Sequence, residues 1–122
     1  METKDNNENS FIGLPYKTVR LLLKESCIRI DAMSRTLLSF ERHGRTLSPA
    51  YCIEYENLLL ERLSICNKLY EYYADIWDNG GWFMRWLVRK RLVENGELHK
   101  KTLSTLMLLR NYMELHNVSR IG

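Results

Sequence analysis

One apolar stripe with sharp punctuation at both ends constrains this fold more than any other feature. Cys52, Tyr55, Leu59, Leu63, Cys66, Leu69, Tyr70, Tyr73 and Trp77 recur at three- and four-residue steps. That is the period of an amphipathic α-helix and not of a strand. Ser48-Pro49 opens the stripe, a Ser that accepts from the first turn followed by a Pro whose missing N–H costs nothing there. Asn79-Gly80-Gly81 closes it. Glu54, Glu56, Glu61, Arg62, Lys68 and Glu71 are expected largely on the other faces.

The flanks carry the same period. Over residues 16–43, Val19, Leu22, Leu23, Cys27, Ile30, Met33, Leu37 and Phe40 form a second stripe after Pro15, and Gly44 is a natural stop. Asp31 is a plausible cap for a helix starting at Ala32, so this stretch reads as one helix or two. Residues 45–47 form a linker. Residues 82–93 begin apolar (Trp82, Phe83, Met84, Trp86, Leu87, Val88) and turn basic (Arg89, Lys90, Arg91), and Asn95-Gly96 is expected to end them. A last helix over residues 98–116 presents Leu103, Leu106, Met107, Leu109, Tyr112 and Met113 as a wide buried face. No strand alternation and no repeat is visible. The expectation is an all-α bundle of four to six helices, with residues 1–10 a disordered polar tail and residues 11–122 one domain.

Composition narrows the function classes. A chain of 122 residues with 45% hydrophobic content can bury one core without metals or disulfides. Three cysteines, Cys27, Cys52 and Cys66, are an odd count with no paired spacing, which reads as core thiols in a reducing, cytoplasmic setting. Cys52 and Cys66 fall on about the same helix face. No stretch has the apolar length of a membrane span. Mitochondrial association is expected only if a hydrophobic tail has been trimmed. His43, His99 and His116 show no metal-ligand spacing and are expected near helix ends. No nucleophile constellation and no phosphate loop is present, so no catalytic residue, metal or cofactor is expected.

The net charge of +3 is modest, but Arg85, Arg89, Lys90 and Arg91 cluster and lead on to Lys100 and Lys101. A solvated face is the simpler reading, and nucleic acid is not the partner expected at this density of charge. Aromatic residues concentrate in Tyr70, Tyr72, Tyr73, Trp77, Trp82, Phe83 and Trp86. That is more ring surface than one small core needs, and some of it is expected on a partner-binding surface.

The junction Asp78-Asn79-Gly80-Gly81-Trp82 has its own physics. Asn and Gly end one helix, a Gly permits close backbone approach, and Trp82 is expected to anchor the next helix in the core. The run resembles the second homology region of the Bcl (B-cell lymphoma) family of apoptosis regulators. There an acidic-Asn-Gly-Gly-Trp run joins two helices and apolar residues follow, here Phe83, Trp86 and Leu87. Chain position suits the family's first homology region instead. Asp78 and Trp82 keep that spacing, residues 30–44 would be the groove-forming second helix, and Leu47-Ser48-Pro49 resembles the Leu-Thr-Pro after it. Met84 then stands where the family has its ligand-pairing Arg, and Arg85 is the substitute.

The resemblance implies a Bcl-like fold with a central apolar helix starting near Trp82, as in a short divergent viral member. It implies a non-enzymatic anti-apoptotic regulator that sequesters the amphipathic helix of a pro-apoptotic protein in a groove, a virus–host interaction, with a homodimer as a further option. The partner-binding residues would be Met33, Leu37, Phe40, Leu59, Gly81, Trp82, Met84 and Arg85. The competing reading is a helical scaffold or assembly subunit whose apolar face drives homo- or hetero-oligomerisation. A centrally buried Trp82 helix is the arrangement on which the Bcl-like reading depends.

Overall fold

The computed structural model describes residues 15–118, and the expected tail over residues 1–10 lies outside them. The described chain is all-α and consists of three long helices, α1 (Tyr16–Arg42), α2 (Pro49–Asn79) and α3 (Trp82–Leu115). They run up, down and up. Short connections force each helix antiparallel to the one before it. Helix α2 is the middle of the bundle: α1 and α3 both pack on it, and their backbones do not approach each other.

The boundaries have local causes. Pro15 sits just before α1 in extended geometry, at the cap position. Gly44 adopts φ +66° and lets Arg45 N–H reach back to Phe40 O at 2.8 Å, a left-handed stop that closes α1. Ser48 Oγ accepts from Tyr51 N–H at 3.2 Å with Pro49 as the first helical residue. Asn117 repeats the left-handed stop at φ 56°, with Val118 N–H on Met113 O.

Four to six helices were expected and three are found, because two expected breaks are absent. Asp31 is an ordinary residue inside α1. Asn95-Gly96 lies inside α3, although Gly in a helix interior costs about 1 kcal/mol relative to Ala. Tertiary contact offsets that preference: Asn95 is buried, and its side-chain N–H donates to Cys66 O of α2 at 2.9 Å. One consequence is that His99 stands in mid-helix, while His43 and His116 are the C-terminal caps of α1 and α3.

The core has two apolar halves with a polar layer between them. Near the α1–α2 loop, Ile30, Met33, Cys52, Tyr55, Leu59, Leu106, Leu109 and Met113 pack together. The loop is tied down there by Leu47 N–H donating to the Tyr112 hydroxyl at 3.0 Å. Near the α2–α3 turn, Val19, Leu23, Ile65, Cys66, Leu69, Tyr73 and Val88 form the second half. Each fully buried Leu or Ile contributes roughly 1.5–3 kcal/mol. Between the halves lies Arg62, only 2% exposed. Its Nε donates to Thr102 Oγ1 at 2.8 Å and a terminal nitrogen reaches Cys27 Sγ at 3.6 Å. Glu56 is also buried and meets Arg110 Nε at 2.7 Å. Both were expected on outer faces. Helix α2 has two neighbours, so its buried surface is too wide for a simple stripe.

Candidate functional site

The α2–α3 turn is built around Gly80. A Cβ there would stand 2.5 Å from Ile76 O and 2.8 Å from Met84 Cβ, so the helix end and the helix start meet across a glycine. Gly80 N–H caps Ile76 O at 2.7 Å. Arg85 adds a second cap: its Nε donates to Trp77 O at 2.7 Å, and its guanidinium lies 5.6 Å from the Trp77 ring centroid. A cation at the negative end of α2 is the favourable placement. Gly81 has open space around the position of a Cβ.

Trp82 does not anchor the core. It is 80% exposed, and the helix it begins lies to one side of α2. The central helix of the bundle is α2, and the expected central helix beginning near Trp82 is not found. Val88 is the buried residue of α3's first turns, Leu92 is half-buried, and both face α2. Trp82, Phe83, Trp86 and Val93 take the opposite side, by the 100° step of the helix.

On the inner side of α3 all three helices contribute to an apolar groove of about 410 Å³. Tyr73 and Ile76 of α2 form its floor, Tyr16 and Tyr72 wall it on one side, and Met84, Leu87 and Val88 wall it on the other. Arg91 and Asp75 supply its charges. The Tyr16 ring stands edge-on to Tyr72 and Tyr73, at centroid distances of 5.8 and 5.9 Å. The Tyr16 and Tyr73 hydroxyls lie 3.0 Å apart in a hydrogen bond. Burial first, and then the Tyr16 hydroxyl, pushes the Tyr73 phenol up to about 12. A larger depression of about 700 Å³ lies between α1 and the start of α2. Its lining is mixed, with Ala50, Ile53 and Leu58 beside Arg29, Glu54, Asn57 and Glu61, and the exposed Arg29–Glu54 pair crosses it.

The expected partner-binding residues do not form one surface. Met33 and Leu59 are buried in the core half beside the α1–α2 loop, with Leu37 and Phe40 packed against them. Gly81, Trp82, Met84 and Arg85 lie at the far end of α2. About 20 residues of α2 separate the groups, roughly 30 Å of helix. Of the eight, only Met84 lines the groove. Arg85 does not line the groove, and its Nε serves the α2 cap. Tyr16, Ile76 and Arg91 were missed. The signal for the groove was the Tyr72-Tyr73 pair, one turn before Ile76 and Trp77.

Among the described residues no group of His, Cys, Asp and Glu is arranged to hold a metal ion. No described helix is long and apolar enough to cross a membrane. The three cysteines are free thiols, with Cys52 and Cys66 buried on α2 and Cys27 half-buried. Comparison of the chain with protein-family models, curated proteins and solved structures returns no match.

Proposed function

We propose that the protein is a non-enzymatic interaction module that takes one amphipathic helix of a partner protein into the groove at the α2–α3 end of the bundle. The observation that carries this reading is the groove itself: seven apolar or aromatic side chains from three helices, with Arg91 at hand as a cation. A helix with apolar anchors at three- and four-residue spacing would bury them on Tyr73, Ile76, Met84 and Leu87, and an acidic side chain would meet Arg91. The reading keeps the mode of recognition that the resemblance of residues 78–82 implies. It leaves aside that family's helix arrangement, because Trp82 is exposed and the middle helix is α2.

The test is calorimetry of the full chain against amphipathic helical peptides, death-promoting segments included. Micromolar binding is expected, weakened at least tenfold by Leu87→Glu, a half-exposed position. No binding by any peptide at tens of micromolar would overturn the proposal. A second reading, a self-assembling scaffold, draws on another surface: Met107, Leu108 and Leu115 are exposed toward the far end of α3. Sedimentation showing an oligomer that Met107→Glu dissociates would favour it.

A further inference from the structure

The groove leaves the outer side of α3's first three turns unused. That side carries Trp82, Phe83 and Trp86 at 80%, 57% and 63% exposure, with Val93 in line. The Phe83 and Trp86 rings stack on each other at 6.1 Å and not on the bundle. Large aromatic rings held in water need an occupant to cover them. Charge identifies its kind. Between Asp78 and Glu94 the chain has four cations, Arg85, Arg89, Lys90 and Arg91, and no acid. By the 100° step of the helix, Arg89 borders the aromatic ridge beside Trp82 and Lys90 projects between Trp86 and Phe83. Lys90 has only a long exposed pair with Glu94 at 3.9 Å, and Arg89 forms no ion pair among the described residues.

A second copy of the chain would bring the same cations against each other, which disfavours pairing of this face with itself. An anionic bilayer surface meets both requirements. Indole rings settle at the headgroup level, and Lys and Arg beside them are drawn to acidic lipid. Each basic residue close to such a surface contributes about a fivefold gain in binding. We infer that the outer face of α3 is a peripheral membrane-docking surface, with Trp82, Phe83 and Trp86 entering the headgroup region of an anionic bilayer and Arg89 and Lys90 binding its acidic lipids. This places the module on a membrane surface without a span and leaves the groove, on the inner side of the same helix, open to its ligand.

The experiment is co-sedimentation of the full chain with phosphatidylcholine vesicles, with and without about a third phosphatidylserine, read together with tryptophan emission. Binding and a blue shift are expected on the serine-lipid vesicles, both reduced in half-molar salt. Trp82→Ala/Trp86→Ala and Arg89→Glu/Lys90→Glu should each weaken binding at least tenfold. Circular dichroism should stay unchanged, because these side chains are exposed. Peptide binding in the groove should also persist in both variants, which separates failure here from failure of the proposed function. No binding to the acidic vesicles overturns the inference, as does equal binding to neutral vesicles or retention by the Trp variant. So does a wild-type dimer that the Trp variant converts to monomer, because a second copy would then be the occupant.

Discussion

Two adjacent glycines make opposite predictions. Gly80→Ala puts a methyl group 2.5 Å from Ile76 O and 2.8 Å from Met84 Cβ. Neither neighbour is the free end of a flexible chain. Ile76 O is backbone and already accepts from Gly80 N–H at 2.7 Å, so relieving the contact stretches the cap that ends α2. Met84 Cβ is fixed by α3. Overpacking of this kind costs about 1–3 kcal/mol, and weakening the cap hydrogen bond adds about 1 kcal/mol. A loss of roughly 2–4 kcal/mol is therefore expected, a fall in Tm of about 8–15 °C for a domain of this size.

Gly81→Ala meets nothing within 4 Å and keeps a backbone that alanine adopts, at φ −79° and ψ −175°. Its cost as a helix cap and its gain from a stiffer unfolded chain are each below about 1 kcal/mol and opposed, so its stability should stay within about 0.5 kcal/mol of the parent. Urea denaturation followed by helix ellipticity measures both. If Gly80→Ala is neutral, or if Gly81→Ala is as damaging, the close approach of α2 and α3 is not what holds this turn.

Other predictions test the core and the groove. Arg62→Met removes a buried cation that forms no ion pair with an acid among the described residues, so stability should hold or rise by about 1–2 kcal/mol, whereas Arg62→Ala should lose about 2–4 kcal/mol to the cavity; urea midpoints decide, and a Met variant weaker than the parent by 2 kcal/mol would refute the reasoning. The Tyr73 proton is held to about 12 in the fold against an ordinary value of 10.0. Its stabilisation is thus complete below pH 10 and lost as the pH rises toward 12; thermal scans across that window should show a decline that Tyr73→Phe reduces.

How much the sequence revealed depended on whether a boundary was set locally or by tertiary contact. Gly44 and Ser48-Pro49 act within one turn of themselves, and both operate as expected. Asn95-Gly96 carries the same stop signal, but Cys66 O, 29 residues away, engages the Asn95 amide and the helix continues. The buried positions of Arg62 and Glu56 were hidden for a related reason. Periodicity assigns one inner face to a helix, and α2 has two neighbours. Leu59 and Met33 were rightly marked as apolar positions of their helices, yet nothing local distinguishes an apolar residue of the core from one lining a groove. The groove needs three helices at one end, and Tyr16 enters it from a residue 57 positions away from Tyr73.

The same limit explains why the 78–82 junction was easy to notice and hard to interpret. An acidic-Asn-Gly-Gly-Trp run is a good solution to one local problem, ending a helix and starting another with two residues between. Gly80 solves it by close approach, and Arg85 completes it from the next turn by capping Trp77 O. Once those two residues hold the turn, Trp82 has no structural task, and an 80% exposed indole is costly to keep in water. Its presence there, beside Phe83, Trp86 and the cations Arg89 and Lys90, is best accounted for by what lies outside the chain. Turn geometry thus explains Gly80, and the docking surface inferred above would account for Trp82 and Trp86.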